Sequence, residues 1–183
     1  MKKFTLAALL LAATAQAQEA PEVLIGEARA QTKGFAEELK LTLMAGMKAD
    51  GPVAAISLCN TQAPALAEKH SKEGWQVGRT SEKLRNPDNA PDTWEQEVLT
   101  SFASQASAGV DIATLEAWTQ DGDQFRYMKA IEVGGPCVVC HGQNLSPTVT
   151  SALDALYPQD NARGYLPGQL RGAFTLTYIP ENH

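Results

Sequence analysis

The run CVVCH, residues Cys137 to His141, constrains the fold of this chain more than any other stretch. Its spacing, C-x-x-C-H, is the signature of covalent c-type haem attachment. The thiols of Cys137 and Cys140 can add to the two vinyl groups on one edge of the macrocycle, and the adjacent imidazole of His141 then becomes an iron ligand. Pro136 and Gly142 allow the backbone to turn sharply beside the ring. The rest of the chain must therefore build a dry pocket for one covalently attached haem c.

A C-x-x-C pair has three other interpretations, which are a thioredoxin-like redox pair, half of a zinc site, and chance. A zinc site needs four ligands, whereas the chain has three cysteines and three histidines and no second pair at ligand spacing. A redox dithiol usually opens a helix in a βαβ unit. Here Pro136 precedes the motif and Gly142 follows it, and the context predicts a strand that ends in a loop. These contrasts favour haem attachment.

The N-terminus has the pattern of a secretory signal peptide over residues 1–17. Two lysines at positions 2 and 3 precede an apolar run that is too short to span a bilayer. Ala-Gln-Ala at positions 15–17 is an A-x-A cleavage site. The sequence therefore predicts export to a bacterial periplasm and a mature single haem-binding domain over residues 18–183, with no membrane span.

The charge and the cysteine count narrow the partners further. The net charge is −6 at pH 7, and loss of the two lysines of the signal peptide makes it −8. An acidic chain argues against nucleic acid or anionic lipid as a partner and permits a basic redox protein. After two thiols are assigned to haem, Cys59 is left alone. An odd cysteine in an oxidising compartment is expected to be buried, paired with another chain or used as a ligand.

Hydrophobic periodicity predicts an α+β domain with an antiparallel sheet and with the helices packed on one side of it. An Asp-Gly pair marks a hairpin turn between two of the strands. The predicted helices cover residues 22–48, 53–72 (which Pro64 could interrupt), 93–107 (behind a capping box that begins at Asp92) and 147–156 (behind Ser146). The predicted strands cover residues 75–80, the hairpin 114–133 around Asp121 and Gly122, and residues 170–179.

The second axial ligand of the iron must come from a short list of side chains. His70 lies in a charged run typical of a solvated helix end, and Met44 and Met47 fit the core of the first helix. Cys59 lies in a mostly apolar helix, where an unpaired cysteine is either a small buried hydrophobe or a ligand, and spacing alone leaves both readings open. The full set of candidate donors is His70, His183, Met44, Met47, Met128 and Cys59.

Arginines are the candidates to pair with the haem propionates, because a guanidinium matches a carboxylate bidentately. Arg79 is preferred, since it ends a predicted strand and opens the loop that follows the Cys59 helix. An ordinary surface arginine is the alternative for each of Arg79, Arg85, Arg163 and Arg171. Aromatic residues that either line the ring or fill the core are Trp94, Phe102, Phe125, Tyr127 and Tyr165.

Several blocks of the chain stand in an order that resembles a known family. They are CNTQAP at 59–64, RTS at 79–81, RNPDNAPDTWE at 85–95, GPCVVCHG at 135–142 and RGA at 171–173. In this order they resemble the PAS-like c-type haem domain of a soluble cyanobacterial haem protein, which also occurs as the extracytoplasmic input region of bacterial sensor kinases. The resemblance covers about Leu24 to Tyr178. It implies a PAS-like antiparallel sheet with an N-terminal helical extension and flanking helices, and an iron held between His141 and Cys59.

That ligand pair has functional consequences. A thiolate donates electron density and stabilises ferric iron, so the reduction potential is expected to be low. Release of the Cys59 thiol on reduction and protonation would open a site for carbon monoxide or nitric oxide. We therefore expect a redox or diatomic-gas sensor or binding module. The alternative is a low-potential periplasmic monohaem electron-transfer cytochrome, which keeps both ligands. A peroxidase-like enzyme needs an open distal site with an acid–base residue, so no catalytic residue is predicted.

Overall fold

The computed structural model describes residues 21–180, and it begins with a long helix bent into two arms. Helix α1 spans Pro21–His70, but Asp50 and Gly51 have non-helical backbone angles, with Gly51 at a φ of 72°. The arms fold back on each other, because a Cβ at Gly46 would lie 2.7 Å from the Cα of Ala55. The predicted break near residue 50 is confirmed. Pro64 lies inside the second arm without interrupting it.

Four antiparallel strands form one sheet in the order β1-β4-β3-β2. The hairpin of β2 and β3 turns at the predicted Asp-Gly pair, and the last strand of the chain inserts between β1 and β3. The strand predictions are confirmed to within two residues. The strands are β1 Trp75–Thr80, β2 Glu116–Asp121, β3 Gln124–Glu132 and β4 Leu170–Tyr178.

Local capping signals place the shorter helices. Asp92 and Glu95 form the predicted capping box, in which each side chain accepts a hydrogen bond from the backbone N–H of the other. Ser146 caps the helix that begins with Pro147, as predicted. The helices are α2 Thr93–Ser107, α3 Val138–His141 and α4 Pro147–Leu156, and the 3₁₀ helices are Pro87–Asn89, Ile112–Thr114 and Gly135–Cys137.

Apolar side chains cover both faces of the sheet. On one face Phe125 and Tyr127 pack against α1, and on the other Met128 and Ala130 pack beneath α2. The expectation that the helices lie on one side was therefore wrong. On this face Met128 and Ala130 lie between the charged residues Arg126 and Glu132, and both apolar side chains are buried under α2. The α+β class and the PAS-like antiparallel sheet are confirmed.

Two smaller clusters fix the segment that follows β3. Ile56, in the second arm of α1, packs with α4 and with Cys140. Val133 packs with Ala162 and Tyr165 against Cys137. These contacts hold the cysteine motif between α1 and the loop after α4. Across residues 21–180, no helix carries an apolar stretch long enough to cross a membrane.

Candidate functional site

The C-x-x-C-H motif forms a compact helical turn rather than the open loop that was predicted. Gly135–Cys137 is a 3₁₀ helix and Val138–His141 is one turn of α-helix. Gly142 ends the turn, and a Cβ there would lie 2.3 Å from the carbonyl oxygen of Val138. The glycine is therefore needed because the backbone doubles back closely on itself.

The imidazole of His141 is partly buried and held in one tautomer. Its Nδ1 lies 2.7 Å from the carbonyl oxygen of Ala162, and a carbonyl only accepts, so Nδ1 carries the proton. Burial, together with the positive charges of Arg171 and Arg85, lowers the pKa of His141 to about 3. The ring is therefore neutral at physiological pH, with the lone pair of Nε2 available as a ligand.

Arg85 ties the motif to the loop after α4. Its Nη2 donates to the carbonyl oxygen of Cys140 at 2.5 Å, and its Nη1 lies 3.4 Å from His141 Nε2. Its Nε donates to Asp160 Oδ1 at 3.2 Å. The Arg85 side chain is only 14% exposed, so these bonds are shielded from water. The guanidinium therefore fixes the position of the turn that carries the two cysteines and the histidine.

Cys59 reaches the same region from the second arm of α1. It is half-buried, and its thiol interacts electrostatically with Arg79, Arg85 and Cys140. Burial raises the pKa of the Cys59 thiol, and the two arginines oppose that rise. The structure thus brings together all six residues proposed for the site, which are Cys59, Arg79, Arg85, Cys137, Cys140 and His141.

The other proposed iron donors lie elsewhere or outside the described residues. His70 shares a hydrogen bond with Glu38 at 2.9 Å and its ring packs at a tilt against Phe35 in the first arm, so it is not a solvated helix end. Met128 is fully buried in the sheet. Met44 is exposed and Met47 is only partly buried, so the assignment of Met44 to the core was wrong. His183 lies beyond the described residues. Cys59 is therefore the donor in the described chain that faces the motif.

The proposed arginines differ in their partners. Arg163 pairs with Asp154 and Asp160 at 2.6 and 2.7 Å. Arg171 donates to Ser81 at 2.8 Å. Arg79 is largely buried beside Cys59 and Tyr157, and burial lowers its pKa. Within residues 21–180, neither Arg79 nor Arg171 forms an ion pair with a carboxylate.

Sequence reasoning missed three groups at this site. Asp160 binds Arg85 and Arg163, the Ala162 carbonyl accepts from His141, and the Tyr157 ring lies 5.9 Å from the Arg85 guanidinium. All three belong to α4 or to the loop that follows it, which shows only the composition of a turn. Of the proposed aromatic residues, Tyr165 contacts His141 edge-on, and the other four lie in or against the two core clusters of the sheet.

Comparison with known proteins identifies the family. The family model described as Tll0287-like matches residues 10–180. This chain belongs to the Tll0287-like family. The crystal structure of the cyanobacterial heme-protein Tll0287 matches with a TM-score of 0.61 and 22% sequence identity, over 92% of this chain and 99% of that one. No curated protein matches. The resemblance and the fold class inferred from the sequence are thus confirmed for this Tll0287-like chain.

Proposed function

We propose that this chain is an exported haem-binding protein, with haem c attached through Cys137 and Cys140 and its iron held between His141 and Cys59. The observation that carries the proposal is the convergence of these four groups from two distant parts of the chain. Two thiols at the required spacing lie beside a neutral imidazole whose Nδ1–H is already bonded to a carbonyl. That donor set fits haem, and the relative of known structure is described as a heme-protein.

The charges around the motif also fit this cofactor. Arg79, Arg85, Arg163 and Arg171 carry four positive charges, and within residues 21–180 the carboxylates that pair with them are those of Asp154 and Asp160. A buried cation needs a partner. Two propionates would supply the two missing negative charges. Arg79 and Arg171 are the best placed to pair with the propionates. Arg85 would add a further positive charge while it holds the motif.

Haem in this site would supply one-electron chemistry and a coordination position for a small ligand. Cys59 lies on the second arm of α1, which is joined to the first arm by the non-helical Asp50–Gly51 joint. Leu66 of the same arm packs against the sheet, so the arm stays docked and the release of Cys59 would be a local movement near the motif. This arrangement supports a redox or diatomic-gas sensor, in which Cys59 leaves on reduction and carbon monoxide or nitric oxide binds.

A low-potential electron-transfer cytochrome is the second candidate. Gly135, Pro136 and Val139, on the edge of the motif, are exposed, with Val139 37% accessible. An accessible attachment edge suits electron exchange with a protein partner. The two roles differ in whether Cys59 stays bound on reduction.

The test uses the exported, mature protein and its Cys59→Ser variant. Mass spectrometry of the wild type is expected to show a chain that begins at Gln18 and carries one haem. Electron paramagnetic resonance is expected to show a thiolate-ligated low-spin ferric signal that is lost in Cys59→Ser. A protein without haem would refute the function, and an unchanged signal in Cys59→Ser would refute the ligand.

Reduction under carbon monoxide separates the two roles. A sensor is expected to form a carbon monoxide complex in the wild type as readily as in Cys59→Ser. A carrier is expected to exclude carbon monoxide in the wild type and to admit it only in Cys59→Ser. Failure of both proteins to bind it would refute the gating role.

A further inference from the structure

Asp160 is the buried carboxylate around which the His141 environment is organised. Its side chain is 0% exposed, although it lies in a polar loop. Oδ1 accepts from the Ala162 N–H at 2.9 Å and from Arg85 Nε at 3.2 Å. Oδ2 accepts from Arg163 Nε at 2.7 Å and from Arg85 Nη2 at 3.3 Å. Burial raises the pKa of Asp160, but these hydrogen bonds outweigh it and the net pKa is lowered, so the group is ionised.

Both groups that Asp160 holds act directly on the haem motif. Ala162 receives the Nδ1–H bond of His141 through its carbonyl, and Arg85 donates to the carbonyl of Cys140. The bond from the Ala162 N–H to Asp160 fixes the backbone of Ala162, and with it the position of the carbonyl that accepts from His141 Nδ1. An acceptor held in place on Nδ1–H sets the tautomer and the orientation of the ring towards a metal on Nε2.

One contact must change when Nε2 binds a metal. The lone pair of Nε2 serves one partner, so coordination excludes the contact with Arg85 Nη1 at 3.4 Å. The bond from His141 Nδ1 to Ala162 and the bonds from Asp160 to Ala162 and Arg85 involve other atoms. They remain compatible with coordination.

We propose that Asp160 is a positioning residue for the iron site: through Ala162 and Arg85 it orients His141, and its buried negative charge lowers the reduction potential. The inference rests on the proposed function, since it concerns the same haem. The negative charge of Asp160 lowers the potential because it stabilises ferric over ferrous iron.

The test compares the haem-loaded Asp160→Asn and Asp154→Asn variants. Asparagine is nearly isosteric with aspartate and keeps an acceptor for the Ala162 N–H. We expect Asp160→Asn to shift the oxidised-to-reduced equilibrium about tenfold towards the reduced form, which for one electron is a rise of about 59 mV. The g values of the ferric signal are also expected to move, since they report the orientation and basicity of the axial ligands. Asp154 binds the same Arg163 but, within the described part of the chain, does not bind Ala162 or Arg85, so Asp154→Asn is expected to leave both readouts unchanged.

A third variant separates positioning from charge. Asp160→Glu keeps the charge but changes the bond to Ala162, so positioning predicts altered g values, whereas a charge effect alone predicts wild-type ones. It also provides the test if Asp160→Asn does not fold. Wild-type potential and g values in either Asp160 variant, or an equal shift in Asp154→Asn, would overturn the inference. Absence of haem from the wild type would instead overturn the proposed function.

Discussion

Gly172 offers a sharp test of how the loop after β1, which carries Arg85, is fixed to the sheet. This residue of β4 has a φ of 155°, a conformation that L side chains rarely adopt. A Cβ there would lie 2.3 Å from the carbonyl oxygen of Thr80 and 2.8 Å from the Cβ of Ser81. Thr80 and Ser81 directly follow Arg79. The Gly172→Ala substitution must therefore strain β4 or displace the start of the loop after β1.

The cost has two parts. Backbone strain of this kind costs about 1–3 kcal/mol, and a methyl group forced into a packed region costs about 1–3 kcal/mol more. We expect Gly172→Ala to lower the free energy of unfolding by about 3 kcal/mol. Gly78, in the neighbouring strand β1, is the matched control. A Cβ at Gly78 would meet Thr175 Cγ2 at 3.7 Å, which is an ordinary contact, so Gly78→Ala is expected to change stability by less than about 1 kcal/mol.

Urea denaturation of the wild type and both variants, followed by circular dichroism, measures these differences. The slopes of the transitions should agree, so that shifts in midpoint report stability. A loss below about 1 kcal/mol for Gly172→Ala, or equal losses for the two variants, would show that the close approach at Thr80 does not constrain the chain.

Three further predictions concern other parts of the structure. Gly142→Ala places a Cβ 2.3 Å from the Val138 carbonyl oxygen, so a smaller fraction of the protein is expected to carry covalent haem in mass spectra; a wild-type fraction would contradict this. Tyr127→Phe removes a buried donor 2.8 Å from Glu116 and is expected to cost about 1–2 kcal/mol in urea denaturation, and a neutral result would mean that the bond adds nothing. The pKa of Asp92 is lowered in the folded protein. The ionised carboxylate therefore stabilises the fold at pH values above its unfolded pKa near 3.9, and this stabilisation is lost as the pH falls through the folded pKa. Thermal melts should show that the wild-type advantage over Asp92→Asn shrinks below about pH 4, and a constant advantage would refute the assignment.

Local signals in the sequence predicted most of the helices and strands. The capping box at Asp92, the Ser146 cap and the Asp-Gly hairpin turn depend on neighbours within a few residues, and the structure contains all three. Insertion of β4 between β1 and β3 is a contact between distant segments that no local pattern encodes. The helices on both faces were missed for a similar reason. Arg126 and Glu132 flank Met128 and Ala130 on their face of β3, and these two residues become core only through contacts with distant segments, chiefly α2.

The residues of the site likewise divide into those predicted from local sequence and those that depend on contacts between distant segments. Cysteine spacing pointed to Cys137, Cys140 and His141, because their chemistry depends on residues adjacent in the chain. Cys59 came from counting donors and from the family resemblance. Asp160 was missed, because a buried carboxylate in a loop becomes visible only through the partners that tertiary structure brings to it.

The distance along the chain between Cys59 and His141 has a further consequence. The two residues lie about 80 positions apart, so a common metal would close a loop of that length. A cross-link of this size lowers the entropy of the unfolded chain by an amount worth about 4.5 kcal/mol. In the proposed ligation, the bond to Cys59 is therefore a reversible cross-link between the N-terminal helical arms and the C-terminal half. Each release of Cys59 would remove that restraint, so the oxidation state of the iron would set how readily the second arm of α1 unfolds.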